Sequence, residues 1–144
     1  NSQYAFYAAL IKAKLAVEAS DLSAAAVELQ WAMDNADNLI SENIARLRLA
    51  RVEAASGNLD NALQLVQGVD AGEMKSAFEE AKGDFYLQQG NSAAAYTAYE
   101  AAMMAIETGN SAASQLLQLK ISQVQPVAVE SDDSEQAAEQ DDAS

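Results

Sequence analysis

Cysteine and histidine are both absent from this 144-residue chain, and it has a single proline and six glycines. Without thiol or imidazole there is no disulfide, no Cys nucleophile, no His general base, no thiolate or imidazole zinc site and no haem ligation. Aromatic residues make up only 6% of the chain. Positive charge is scarce too: eight Lys and Arg stand against 22 Asp and Glu, a formal net charge of −14. Such a surface repels nucleic acid and anionic membrane over most of its area. No apolar run approaches the roughly 18 residues that a membrane-spanning helix needs. The chain starts at Asn1 rather than Met, and it reads as a fragment or a processed product whose parent could carry an upstream signal or anchor.

What is abundant is alanine, 32 residues of 144. Alanine is the best helix former and lets helices approach closely. The pattern predicts an all-α domain over residues 1–125, with helices at 2–19, 22–36, 42–56, 59–67, 73–89, 92–108 and 112–123. Past Pro126 the composition changes. Residues 127–144 hold seven acids (Glu130, Asp132, Asp133, Glu135, Glu139, Asp141, Asp142), no base and no aromatic. A segment with so little to bury cannot offset its ordering entropy, so 126–144 is expected to be an acidic disordered tail.

The segment Gly57-Asn58-Leu59-Asp60-Asn61-Ala62-Leu63 recurs as Gly90-Asn91-Ser92-Ala93-Ala94-Ala95-Tyr96, an offset of 33 residues. A fainter copy, Ser20-Asp21-Leu22-Ser23-Ala24-Ala25-Ala26, precedes the first by 37. Gly57 and Gly90 suit the left-handed residue that ends a helix, and Ser41, Asn58 and Asn91 are candidate caps for the next one. A period near 34 built from two helices is the tetratricopeptide signature. The expected architecture is a tetratricopeptide-like right-handed superhelix of about three helical hairpins, at 3–36, 42–69 and 73–108. The helix at 112–123 has no partner hairpin and is expected to cap the last repeat.

Small residues mark where paired helices approach. Ala13 and Ala25, Ala50 and Ala62, and Gly83 and Ala95 hold equivalent places, with Gly83 expected to face Ala95 across the last hairpin. Gly83 costs its helix about 1 kcal/mol relative to Ala, so a packing reason is expected. In this register the first helices line a concave groove, the usual ligand face of such repeats. Its candidates are Tyr7, Lys14 and Glu18, then Leu47, Arg51 and Ala55, then Glu80, Asp84 and Gln88. The mixture of both charge signs with apolar area suits a protein segment better than a polyanion. The competing possibility is that these charges pair within the groove while partners dock on the convex side, for example through Trp31.

Catalytic motifs are missing: there is no phosphate-cradling Gly-rich loop, no Gly-x-Ser-x-Gly and no EF-hand pattern. Glu79 and Glu80 are helix neighbours pointing about 100° apart and cannot share a proton site. Ser131–Glu135 lacks the turn and bidentate spacing of a cation loop. No cofactor or metal is expected, and an enzyme would have to rely on carboxylate or Tyr/Lys chemistry. Arg46, Arg48 and Arg51 form the densest basic cluster, with Glu42 placed to pair Arg46 at i,i+4.

Asn43-Ile44-Ala45-Arg46-Leu47-Arg48-Leu49-Ala50-Arg51-Val52 resembles the middle repeat of the YfgM-like family of tetratricopeptide-like proteins. Leu22–Gln30 resembles the helix before it, Lys82-Gly83-Asp84 with Gln89-Gly90-Asn91 the next repeat, and Leu116–Ile121 the closing helix. The resemblance covers residues 3–125. It implies the periplasmic domain of an inner-membrane protein held by one N-terminal anchor. It also implies a non-catalytic ancillary subunit of the SecYEG translocon that associates with Sec subunits, periplasmic chaperones or exported chains. This chain departs from the family in lacking the anchor and in its acidic tail. A cytosolic repeat adaptor for another complex remains the alternative from the residues alone.

Overall fold

The computed structural model describes residues 2–126. Among them are seven α-helices and no strand: α1 (Ser2–Glu18), α2 (Leu22–Asp34), α3 (Leu39–Ala55), α4 (Leu59–Val66), α5 (Lys75–Gln88), α6 (Ser92–Met104) and α7 (Ser111–Val124), with one 3-10 turn at Gly72–Met74. The expected acidic tail lies outside the described residues.

Three hairpin turns share one backbone closure. Ser20, Gly57 and Gly90 each adopt positive φ, at 61°, 87° and 80°. At each turn the next residue's N–H reaches back to a carbonyl five residues earlier: Asp21 to Ala16, Asn58 to Glu53, Asn91 to Tyr86, all at 2.8–2.9 Å. This satisfies carbonyls that the helix end would otherwise leave open. The residue after the turn then starts the next helix. Asp21 accepts from Ala24 N–H and Asn91 from Ala94 N–H, both at 3.1 Å.

The caps expected at Ser41 and Asn58 are corrected. Helix α3 starts three residues early because Asn38, in extended conformation, accepts from the Ser41 N–H at 2.9 Å. Ser41 is the donor of that cap. Asn58 makes no side-chain cap; its amide donates to Glu53 Oε2 at 2.9 Å. Helix α6, expected to reach 108, ends at Met104.

Burial follows the small-residue periodicity. Ala13, Ala25, Ala50, Ala62 and Ala95 are all at most 3% exposed, and Gly83 is buried as well. The core forms three successive clusters. The first joins Phe6, Leu10 and Leu29 to Ala45, Leu49 and Val52. The second joins Ala50, Ala54, Leu63 and Val66 to Phe78 and Phe85. The third joins Ala95, Tyr99 and Ala102 to Leu117 and Val124. Helix α3 feeds the first cluster from one face and the second from another, so each hairpin buries against its neighbour. Asn43, only 2% exposed, donates to the Asp70 carbonyl at 2.9 Å and ties the α4–α5 connector to α3. Helix α7 covers the third cluster, and the whole is an all-α helical-hairpin superhelix.

The group nearest to Gly83 is the Tyr99 ring. A Cβ added there would lie 2.5 Å from Tyr99 Cδ1 and 3.0 Å from Tyr99 Cζ. The ring of Tyr99, one helical turn beyond Ala95, fills the space over the glycine. Ala95 is itself fully buried on the facing helix of the same hairpin.

Candidate partner-binding groove

Lys14, Arg51 and Asp84 follow directly after Ala13, Ala50 and Gly83, so they occupy one register position in α1, α3 and α5. Physical contact joins two of them. Arg51 Nη1 lies 3.5 Å from Asp84 Oδ2, bridging α3 and α5. From α7, Lys120 Nζ reaches the same carboxylate at 3.0 and 3.2 Å and Glu80 Oε1 at 2.8 Å. The Tyr99 hydroxyl donates to Asp84 Oδ1 at 2.7 Å, and Lys120 sits over the Tyr99 ring, 5.7 Å from its centroid. Asp84 is thus the hub of a network that holds α3, α5, α6 and α7 together.

The electrostatics fit that geometry. Burial raises the Tyr99 phenol well above its usual pKa, and the hydrogen bond to Asp84 adds to the rise. For Lys120, burial alone lowers the ammonium pKa. The bonds to Glu80 and Asp84 outweigh that, and the net shift is upward.

The candidate residues fall into three groups. Tyr7, Lys14, Glu18, Arg51, Ala55 and Gln88 are exposed. Glu80 and Asp84 are half-buried and engaged by Lys120. Leu47 packs against the second core cluster, so it supports the groove from beneath more than it lines it. Sequence reasoning missed Lys120 and the Tyr99 hydroxyl. Lys120 was the one base in the closing helix, and that was the available signal. Arg48, one turn before Arg51 on the same face of α3, is also exposed. Among the described residues, Arg48 and Lys14 have no ion-pair partner, whereas Arg46 pairs with Glu42 and Lys82 with Glu79.

Tyr4, Tyr7, Ile11 and Leu15 are 53–75% exposed, and their i, i+3, i+4 spacing puts them on one face. Trp31, 42% exposed, lies elsewhere, beside a cleft of about 350 Å³ lined with Ala5, Ala8, Ala9, Lys12 and Glu28. A second cleft, of about 470 Å³, lies between α5 and α6 among Glu79, Lys82, Tyr86, Ala94, Thr97, Ala98 and Ala101. The described residues contain no group of three or more acids placed to hold a metal ion. No described helix is long and apolar enough to cross a membrane.

Comparison with known proteins adds a second line. The family pattern of the tetratricopeptide repeat-like domain matches residues 1–126. A protein of Aggregatibacter actinomycetemcomitans described as an ancillary SecYEG translocon subunit is 33% identical over 120 residues, which is 83% of this chain and 57% of that protein. One of Haemophilus influenzae with the same description is 30% identical over 118 residues, 82% of this chain and 56% of that protein. The chain spans little more than half the length of these curated relatives.

Proposed function

The chain belongs to the tetratricopeptide repeat-like family, and from that membership we propose that it is a non-catalytic protein-interaction domain of the protein-export machinery. It acts as an ancillary part of the SecYEG translocon on the periplasmic face of the inner membrane, held there by an anchor in its parent. Its partners are translocon subunits, periplasmic chaperones or exported chains. Residues 1–125 form the repeat domain, and 126–144 a separate acidic segment. The observation that carries this reading is the likeness to two ancillary translocon subunits over more than four fifths of the chain.

The inner groove is the binding face in this proposal. Its exposed aromatic and aliphatic residues on α1 supply apolar contact, and Lys14, Arg48 and Arg51 supply direction. Of the groove's carboxylates, Glu80 and Asp84 are both engaged by Lys120 and act as structure.

The network also decides how to test the groove. Reversing Arg51 and Asp84 together would set a new cation at position 84 against Lys120, and α7 would be disturbed. Lys14→Glu with Arg48→Glu changes groove charge without breaking a bond among the described residues. In membranes carrying the full-length parent, crosslinking and pull-down should recover translocon subunits with the native chain and at least several-fold less with this double variant. The circular dichroism spectrum should not change. Undiminished capture by the double variant, with loss on Trp31→Ala, would move the binding face to the convex side.

A further inference from the structure

Where one hairpin meets the next, a first helix sits on the second helix of the hairpin before it: α3 packs on α2, and α5 on α4. In α5 that seam is filled by Phe78, Ala81 and Phe85, all at most 3% exposed and all in the second core cluster. In α3 the places of Phe78 and Phe85, 33 residues earlier, belong to Ala45 and Val52, both buried in the first cluster. A further 37 residues back, the same places in α1 are Ala8 and Leu15, with Ile11 at the place of Ala81. At 100° per residue they fall on the side of α1 opposite to Phe6, Leu10 and Ala13, which α1 gives to the first cluster. Here, however, Ala8 is exposed, and Ile11 and Leu15 are 60% and 58% exposed.

The end of a repeat stack ordinarily turns a polar face to water. Helix α1 instead turns out Tyr4, Ile11 and Leu15, which share one face. The cleft of about 350 Å³ beside them is lined by Ala5, Ala8, Ala9 and Lys12 of α1 and by Glu28 and Trp31 of α2. Alanines set between larger neighbours leave a groove into which the ridge of another helix fits. Lys12 and Glu28 stand at the places of Leu49 and Leu65 in the next hairpin, where both leucines pack in or against the first cluster. A charged side chain does not bar a filled seam. In α5 the place of Lys12 is held by Lys82, half-buried and paired with Glu79 at 2.9 Å.

We propose that α1 is an interior helix of a longer superhelix, and that a helix of the parent chain lying ahead of Asn1 covers Ala8, Ile11 and Leu15 as α2 covers α3. This occupant is the second helix of a further hairpin. It sets large apolar side chains into the alanine-lined cleft, and an acid facing Lys12 and a base facing Glu28 fix its register. The curated relatives extend far enough beyond the part they share with this chain to hold such a hairpin. A second copy of the chain fits the pattern less well. It would set α1 on α1, whereas α3 and α5 each rest on a second helix. The assignment stands whether or not the inner groove is the partner site. It leaves Tyr7, on the Lys14 side of α1, as the apolar contact that α1 gives to that groove.

A photoreactive side chain at Ile11 or Leu15 of the purified full-length parent tests this, with Thr97 as the control position. The expected product is a crosslink within one polypeptide, at monomer mass, that peptide mapping places ahead of Asn1, and Thr97 should give no such link. An adduct at twice the monomer mass would put a second copy on the face. An adduct formed only when other membrane proteins are present would make it a partner site. Either result, or no adduct from Ile11 and Leu15, overturns the proposal. Leu15→Gln gives a second reading, because it keeps helix propensity and charge. In residues 1–144 alone, where Leu15 is exposed, the thermal midpoint should stay within about 2 °C. In the full-length parent, where the same side chain is covered, it should fall by about 5 °C or more. Equal shifts in the two proteins would contradict the covered face.

Discussion

Gly83→Ala is the smallest change that tests the packing of the last hairpin. The new Cβ would fall 2.5 Å from Tyr99 Cδ1 and 3.0 Å from Tyr99 Cζ, far inside the ordinary 3.5–4.0 Å carbon contact. The ring would have to move by about 1 Å or more to clear it. Tyr99 has little freedom to do so. It is 1% exposed, its hydroxyl is fixed to Asp84, and Leu117 and Val124 share its cluster. Overpacking typically costs about 1–3 kcal/mol, and a ring held at both ends belongs toward the top of that range. Replacing a mid-helix glycine by alanine returns about 1 kcal/mol. The net expectation is a loss of about 1–2 kcal/mol, read by urea unfolding followed by circular dichroism. Gly83→Leu should lose more. In a double-mutant cycle, Tyr99→Leu should relieve part of the cost of Gly83→Ala. Gly83→Ala that is neutral or stabilising, with no coupling to position 99, would refute the placement of the ring.

Three further outcomes follow from named contacts. Ser20 holds φ at 61° where the other two turns use glycine, so Ser20→Gly should stabilise the domain by about 0.5–1 kcal/mol in the same unfolding assay. The pKa values of Lys120 and Tyr99 are raised in the folded state. Their contribution is complete below the unfolded values of 10.5 and 10.0 and is lost as pH climbs through the folded ones. Thermal midpoints contributed by this pair should therefore hold up to about pH 9 and fall above about pH 10, and Lys120→Met should flatten that alkaline limb. Ending the chain after Gln125 should leave the midpoint within a few degrees, since residues 127–144 carry too little apolar side chain to add to the core; a large drop would show that the tail contributes to the fold.

Local chemistry made the hairpins legible in the sequence. A left-handed residue followed by Asp or Asn closes one helix and opens the next, and both requirements are met by neighbouring residues at Ser20-Asp21 and Gly90-Asn91. Where two caps competed, the pattern could not choose. Asn38 and Ser41 are three residues apart, and the extended backbone at Asn38 decides between them. The end of α6 was overrun because Ala105 and Ile106 continue the apolar pattern after the helix has stopped. At the groove, the shared register of Lys14, Arg51 and Asp84 could be read from the repeat alone. Lys120 could not be placed, because its reach to Glu80 and Asp84 depends on how α7 is rotated on α6. The Gly83–Tyr99 contact depends on the rotamer of a long side chain one turn beyond Ala95, which the spacing of small residues does not specify.

The most direct test of the groove as partner site is site-specific photo-crosslinking in membranes that carry the full-length parent. A photoreactive side chain at Tyr7 or Arg48 samples the inner row, and one at Thr97 samples the outer cleft between α5 and α6. The account predicts adducts with translocon subunits from Tyr7 and Arg48 and none from Thr97; adducts from Thr97 alone, or from none of the three, would contradict it.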